Sequence, residues 1–147
     1  MTAYLSTELG GTANQTSAPV GYKPSGALVG GRCKLYRASF TLNTQTTSDT
    51  LVCFTLKPGE AFVKGWLYTD TTLGATATLA IGNSSSTGKY RAAATLTTTN
   101  APVDFGVTAA AVASVATAEE QVIITIAAAN LPASGNLAVV FMVASAN

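Results

Sequence analysis

The chain has 147 residues, of which 48% are hydrophobic and only 10% charged, with a formal net charge of +1 and no histidine. It is too apolar to be disordered and long enough for one domain with its own core. Without histidine, and with seven scattered acidic residues, it offers no cluster suited to acid–base catalysis or metal binding. The few bases also argue against a nucleic-acid surface, which needs clustered Lys and Arg.

Much of the apolar content is alanine, and large apolar side chains are few. Because alanine buries little area, we expect a thin core and a domain that depends on neighbouring subunits for stability. A net charge near zero removes the repulsion that keeps proteins apart. The composition therefore suits a protein that works packed against others.

Residues 1–31 differ from the rest of the chain. They are rich in Gly, Ser, Thr and Pro and lack a sustained strand or helix period, which predicts an extended N-terminal arm ahead of a domain at 32–147. They show neither the basic start nor the apolar run of a signal peptide. The arm still carries apolar side chains, which would anchor it either to another subunit or along its own domain: Tyr4, Leu5, Leu9, Tyr22 and Leu28.

Short β-prone segments separated by turn signals follow the arm. In chain order we predict strands over 32–42, 49–56, 61–69, 75–82, 89–97, 121–129 and 137–144. Residues 103–117 are ambiguous, because their alanines also permit a short helix or turn. About seven to eight strands without helical periodicity are typical of an all-β fold, an antiparallel β-sandwich or jelly roll.

The third and the last predicted strands allow a prediction of which side chains are buried. On the third strand, alternate residues point to opposite sides, and we expect Val63, Gly65 and Leu67 to face the core and the alternate set to face outward: Phe62, Lys64, Trp66 and Tyr68. The last strand is apolar on both faces, so we expect it to be the most buried.

The two cysteines, Cys33 and Cys53, lie in the first and second predicted strands. A hairpin turn near Thr46 would place Cys53 opposite Phe40, too far from Cys33 for a disulfide. We therefore expect two free, mostly buried thiols. A catalytic thiol would want a histidine or a basic partner, and two thiols are too few for a zinc site.

Two sets of side chains are candidates for partner contact. Arg32, Lys34 and Arg37 could meet a phosphate or a carboxylate-bearing partner, or could protect a strand edge with charge. Trp66 and Tyr68 could line a carbohydrate or protein surface, or could be ordinary sheet packing.

Several runs of the sequence resemble a known family. They are 73–82 (LGATATLAIG) with 89–94 (KYRAAA), and 30–42 (GGRCKLYRASFTL), supported by 105–107, 118–120 and 131–132. Together they resemble small virion proteins of tailed bacteriophages, of the head decoration (cement) type. The resemblance implies an oligomer, often a trimer, that binds the major capsid protein on the capsid surface. The lack of signal-peptide features predicts synthesis in the host cytoplasm.

On this basis we expect a structural protein with no catalytic residue, cofactor or metal, whose arm and Arg32–Arg37 strand make the inter-subunit or capsid contact. One alternative is a head or tail fibre or a receptor- or carbohydrate-binding module, which exposed aromatics at Trp66 and Tyr68 would favour. An enzyme would need a deep pocket lined by convergent acids.

Overall fold

A computed structural model describes residues 31–106 and 114–145 of the chain. Over these ranges it contains strands and no helix, and the eight strands are β1 Arg32–Thr41, β2 Thr50–Leu56, β3 Glu60–Thr69, β4 Thr78–Gly82, β5 Arg91–Thr95, β6 Val103–Phe105, β7 Glu120–Ala127 and β8 Asn136–Ser145. The predicted all-β antiparallel sandwich is confirmed. The predicted arm falls almost wholly outside the described residues, as does the alanine-rich segment 107–113.

The strands form two four-stranded antiparallel sheets. The first sheet has the order β1-β8-β3-β6, and the second sheet has the order β2-β7-β4-β5. Apolar side chains from both sheets form one core between them. Within the described ranges, no helix has the length and hydropathy needed to cross a membrane.

The centre of the core is an aromatic cluster around Phe141 on β8. Its ring centre lies 4.7 to 5.3 Å from the ring centres of Phe54, Phe62, Tyr90 and Phe105. These rings come from both sheets, and each such pair contributes about 0.5–1.5 kcal/mol beyond its buried area. The few large side chains of this alanine-rich chain are therefore concentrated at one place.

The predicted hairpin between the first two strands is wrong. β1 pairs with β8 and β2 pairs with β7, so the turn near Thr46 carries the chain from one sheet to the other. Both thiols are free, as predicted, but Cys33 is exposed on an edge strand and Cys53 is half-buried. Alternation along a strand fixes which side chains share a face, but it does not show which strand lies alongside.

The predicted faces of β3 are right in part. Gly65 and Leu67 are buried, but so is Phe62, while Val63 is half-exposed. The register of β3 against β8 shifts between Phe62 and Lys64. Such a bulge interrupts the alternation of faces, which places Phe62 on the same side as Gly65 and Leu67.

The last strand is central in the first sheet, between β1 and β3. Leu137, Val139, Phe141 and Val143 on its inner face are fully buried. Val140 and Met142, on the outer face, are only half-buried. The inner face of β8 is therefore fully buried, as expected for the last strand, while Val140 and Met142 present apolar side chains at the surface on its outer face.

Candidate interaction surface

The structure locates half of the residues proposed for partner contact. Tyr4, Leu5, Leu9, Tyr22 and Leu28 lie outside the described residues. Arg32, Lys34 and Arg37 lie on the edge strand β1, and Trp66 and Tyr68 lie on β3.

Pairing across the first sheet places its outward side chains in three rows, because directly opposed residues of antiparallel strands point to the same face. One row joins Leu35, Met142 and Lys64, and a second joins Ser39, Ala138 and Tyr68. The central row runs from β1 to β6 through Arg37, Val140, Trp66 and Asp104. Three of the predicted contact residues thus share one surface, which we call the outer face of the first sheet.

The outer face is largely apolar. Leu35 is 69% exposed and Tyr68 is 38% exposed, while Val140, Met142 and Trp66 are half-buried. Single exposed apolar residues are ordinary, but a contiguous apolar patch with a polar rim marks an interaction site. Leu35, Val140 and Met142 were not singled out from the sequence, because only the pairing of β8 with both β1 and β3 brings them next to Trp66.

Charges on the outer face are mostly compensated. Lys64 Nζ lies 2.7 Å from Asp104 Oδ2 and 5.6 Å from the ring centre of Trp66. Both charged groups are solvent-exposed, so this ion pair contributes at most about 1 kcal/mol. Arg37 forms no ion pair with any described residue. The face therefore combines apolar area with one positive charge that has no described counter-ion.

The basic trio does not act as one cluster. Successive residues of a strand point to opposite faces, so Arg32 and Lys34 point away from the outer face that carries Arg37. Lys34 Nζ lies 3.2 Å from Glu60 Oε1. The expectation that the bases protect a strand edge fits the position of β1 at the edge of the first sheet.

A buried carboxylate holds β1 in place. Glu60 is 2% exposed, and its oxygens accept hydrogen bonds from the Tyr36 hydroxyl at 2.9 Å and from the backbone N–H of Lys57 at 2.9 Å. Burial alone would raise the pKa of Glu60, but these donors, together with Lys34, outweigh it and lower the pKa. Glu60 therefore remains ionised and links the edge strand to β3.

The second sheet has a similar network. The Glu120 carboxylate accepts hydrogen bonds from Lys89 Nζ and from the Tyr90 hydroxyl, both at 2.6 Å. Burial alone would raise the pKa of Glu120, but the hydrogen bonds from Lys89 and Tyr90 lower it by more, so the net pKa is lowered. Burial and the neighbouring carboxylate raise the pKa of Tyr90. The buried carboxylate of Glu60 and the half-buried carboxylate of Glu120 thus each accept several hydrogen bonds. This is the arrangement of a structural ion pair and not of a general base.

A groove of about 710 Å³ lies on the outer side of the second sheet. Its walls are mainly hydroxyl-bearing and small side chains, including Thr50, Ser84 and Thr125. The charged groups that line it are already paired: Lys89 with Glu120, and Glu119 with Lys57. Among the described residues no group of three or more His, Cys, Asp or Glu could hold a metal ion.

No protein-family model matches this chain, and no curated protein is significantly similar to it in sequence. Two solved structures contain chains of similar fold. A chain in the structure of the cyanophage Pam1 capsid asymmetric unit aligns with a TM-score of 0.62 and 22% identity, over 91% of this chain and 96% of that one. A chain in the capsid structure of Ralstonia phage GP4 aligns with a TM-score of 0.62 and 21% identity, over 78% of this chain and 85% of that one. The protein thus has the fold of chains found in two bacteriophage capsid structures.

Proposed function

We propose that this protein is a structural virion protein of a tailed bacteriophage that decorates and stabilises the capsid shell through oligomeric surface contacts. The observation that carries the proposal is the outer face of the first sheet, an apolar surface centred on Val140 with Leu35 69% exposed at its margin. The shared fold with chains of two phage capsid structures supports it. So does the resemblance of the sequence to head decoration proteins.

The chemistry of the surface fits assembly better than catalysis. Apolar area removed from water contributes about 25 cal/mol per Å², and many identical contacts on a repetitive shell add through multivalency. Trp66 and Tyr68 are residue types that are enriched at the centres of protein interfaces. Arg37 adds a charge that would select a partner with a carboxylate at the matching position.

The proposed domain organisation assigns the arm 1–31 and the sandwich 32–147 to different tasks. In this proposal the sandwich presents the outer face, and the arm reaches a neighbouring subunit or the major capsid protein with its apolar side chains. The protein then resides on the capsid surface of the virion, with copies of itself and the major capsid protein as partners.

The outer face is tested by a pair of charge substitutions on edge strands. Leu35→Glu places a carboxylate on the outer face of the first sheet, and Val52→Glu is a matched control, since Val52 is 51% exposed on β2 in the second sheet. Co-sedimentation with shells assembled from the major capsid protein of the same virus is the measurement. We expect Leu35→Glu to lose shell binding and Val52→Glu to retain it. Equal binding by both variants would contradict the assignment of this face.

The role of the arm is tested by deleting residues 1–31. We expect the truncated protein to lose shell binding while its circular dichroism spectrum stays that of a folded β-protein. Undiminished shell binding by the truncated protein would remove the arm from the contact.

Self-association is tested by light scattering of the purified protein at two concentrations. A trimer at both concentrations is the expected result, because a thin core completed by subunit contacts is stable only as an oligomer. A monomer at both concentrations would contradict the trimer and leave assembly to the shell.

A second candidate is a fibre or carbohydrate-binding module. The exposed Tyr68 borders a shallow cavity of about 260 Å³ that also contains Asp70, Asn100 and Asn136. An aromatic ring beside amide and carboxylate groups is a common way to bind a sugar. Glycan-array binding that is lost in Tyr68→Ala would favour this candidate over shell decoration.

A further inference from the structure

The edge strand β1 has one side of its backbone without a strand partner among the described residues. Its ten residues pair with β8 without a register shift. On an antiparallel strand, the N–H and C=O groups of successive residues point alternately to the two sides. The N–H of Leu42 donates to the C=O of Gly135, in the loop before β8, at 2.8 Å. The even-numbered residues of β1 therefore face β8, and the odd-numbered residues face the open side.

The open side is closed at one end only. The side-chain amide of Gln45 donates to the C=O of Thr41 at 3.0 Å, which occupies the carbonyl of the last odd-numbered residue of the strand. The backbone groups on the open side that remain for a partner belong to Cys33, Leu35, Arg37 and Ser39. A strand edge of this length is a template for strand addition.

The charges along β1 restrict what can pair there. Arg32, Lys34 and Arg37 are all positive, and Glu60 compensates only Lys34. Antiparallel pairing of β1 with the β1 of a second copy would bring these bases together, and like charges on paired strands are destabilising. A strand that carries a carboxylate is favoured instead.

The sequence ahead of β1 contains one such segment. Among residues 1–31 the sole acidic residue is Glu8. It lies in the segment 2–9 (TAYLSTEL), which has no Gly or Pro inside and ends at Gly10-Gly11. Tyr, Thr and Leu suit a strand, and eight residues at about 3.3 Å each are long enough to cover the open stretch from Cys33 to Ser39.

We propose that the segment 2–9 of one copy adds as a strand to the open edge of β1 in a neighbouring copy, with Glu8 on the same face as one of the two bases of that edge, Arg32 and Arg37, that Glu60 does not compensate. This inference deepens the proposed function and rests on its self-association, but it does not depend on shell binding.

The length of the connection favours a neighbouring copy over the same chain. Residues 10–31 separate the segment from β1, whereas a strand folding back on the adjacent edge needs a hairpin loop of about 2–5 residues. The connection 10–31 is much longer than such a loop, and because it is rich in Gly, Ser and Thr it is flexible enough to span the distance between subunits.

The free thiol of Cys33 provides a direct test. Cys33 is exposed, lies on the open side of β1 and shares the outer face with Leu35. Cysteines are placed one at a time at positions 2 to 9 of the full-length protein, which is then mildly oxidised and run on a non-reducing gel. Neighbouring residues of a strand point to opposite faces. We therefore expect the disulfide yield to peak at one position, to drop several-fold at the positions on either side, and to appear as dimers or larger species.

Two controls sharpen the result. Burial raises the pKa of the Cys53 thiol to about 12, so Cys53 reacts more slowly than an exposed thiol, and Cys53→Ala in the same background should leave the pattern unchanged. Ser17→Cys in the connection should cross-link weakly. In a Cys33→Ser background, Ser39→Cys moves the probe to the other end of the open stretch, and the peak should shift along the segment. Its direction shows whether the added strand is parallel or antiparallel to β1.

Absence of cross-links, equal yields at all positions, or cross-links confined to monomers would each overturn the inference. Co-sedimentation of the reduced wild-type protein with shells tests decoration independently of strand exchange between copies. Shell binding without the peaked cross-linking pattern removes strand exchange alone. The peaked pattern without shell binding removes decoration alone.

Discussion

The Tyr36 hydroxyl lies 2.9 Å from both carboxylate oxygens of Glu60, and the two residues belong to β1 and β3, which are separated in the sheet by β8. Because Glu60 is 2% exposed, this contact ties the edge strand to the sandwich through a desolvated charge. The strand that carries the proposed contact residues is therefore held rigidly in place from its inner face.

Glu60→Gln tests this link. The amide offers one accepting oxygen where the carboxylate has two, and its NH₂ group would face donors from Tyr36 or Lys57. We expect a loss of about 1–3 kcal/mol in the free energy of unfolding, as for an unsatisfied buried polar group, measured by urea denaturation. Lys34→Gln, which leaves the Tyr36 and Lys57 hydrogen bonds intact, is the control and should cost less. Equal stability of Glu60→Gln and wild type would contradict a structural role for the carboxylate.

Stability should fall in acid and stay level near neutrality. The pKa values of Glu60 and Glu120 are lowered in the folded state, so their contribution is full above the unfolded-state value of about 4.3 and is lost as the pH falls through the folded values. The chain has no histidine, so we expect a nearly flat melting temperature between about pH 6 and pH 8. Thermal melts across this range and down to about pH 3 check both statements. A steep change near neutrality would contradict them.

Alkaline pH should destabilise the fold through a different group. Burial raises the pKa of the Cys53 thiol to about 12, so the folded state holds this proton more tightly than the unfolded state does. Its contribution is full below the unfolded value of about 8.5 and is lost as the pH rises toward the folded value. Cys53→Ala should reduce the slope of melting temperature against pH above about pH 9. An unchanged slope would exclude Cys53 as the cause.

Gly65 on β3 lies directly opposite Phe105 on β6, and a Cβ on Gly65 would overlap the Phe105 ring. We expect Gly65→Ala to destabilise the fold by about 1–3 kcal/mol through overpacking. Gly88→Ala is a matched control, because a Cβ there meets its nearest neighbour, the Cα of Ala92, at 3.5 Å. The measurement is chemical denaturation, and partial recovery in Gly65→Ala/Phe105→Leu would confirm the cause.

The hydroxyl of Thr125 on β7 is buried and has no hydrogen-bond partner among the residues that the structure describes. Thr125→Val removes this oxygen at constant shape, and we expect it to stabilise the protein by about 1 kcal/mol or to leave it unchanged. Thr69→Val is the matched control, since the Thr69 hydroxyl donates to the C=O of Thr71 at 2.6 Å and its loss should destabilise the fold. A destabilised Thr125→Val variant would contradict an unsatisfied hydroxyl.

Local sequence determined seven of the eight described β-strands to within a few residues, while β6 lies in the stretch 103–117 that the sequence left ambiguous. The apolar run at 137–144 is β8 at Asn136–Ser145, and the run at 49–56 is β2 at Thr50–Leu56. The side-chain period of a strand and the turn residues that end it are local properties. The low charge and the missing histidine likewise limited the range of functions before any fold was known.

Only the tertiary structure decided which strands lie side by side. It paired β1 with β8 from opposite ends of the described chain, which exposed Cys33 at an edge and placed Arg37 in one row with Trp66. It also introduced the bulge at β3 that turns Phe62 into the core. Pairing and register depend on which arrangement of distant segments fills the space between two sheets, and that packing is a property of the whole chain that no local alternation of residues encodes.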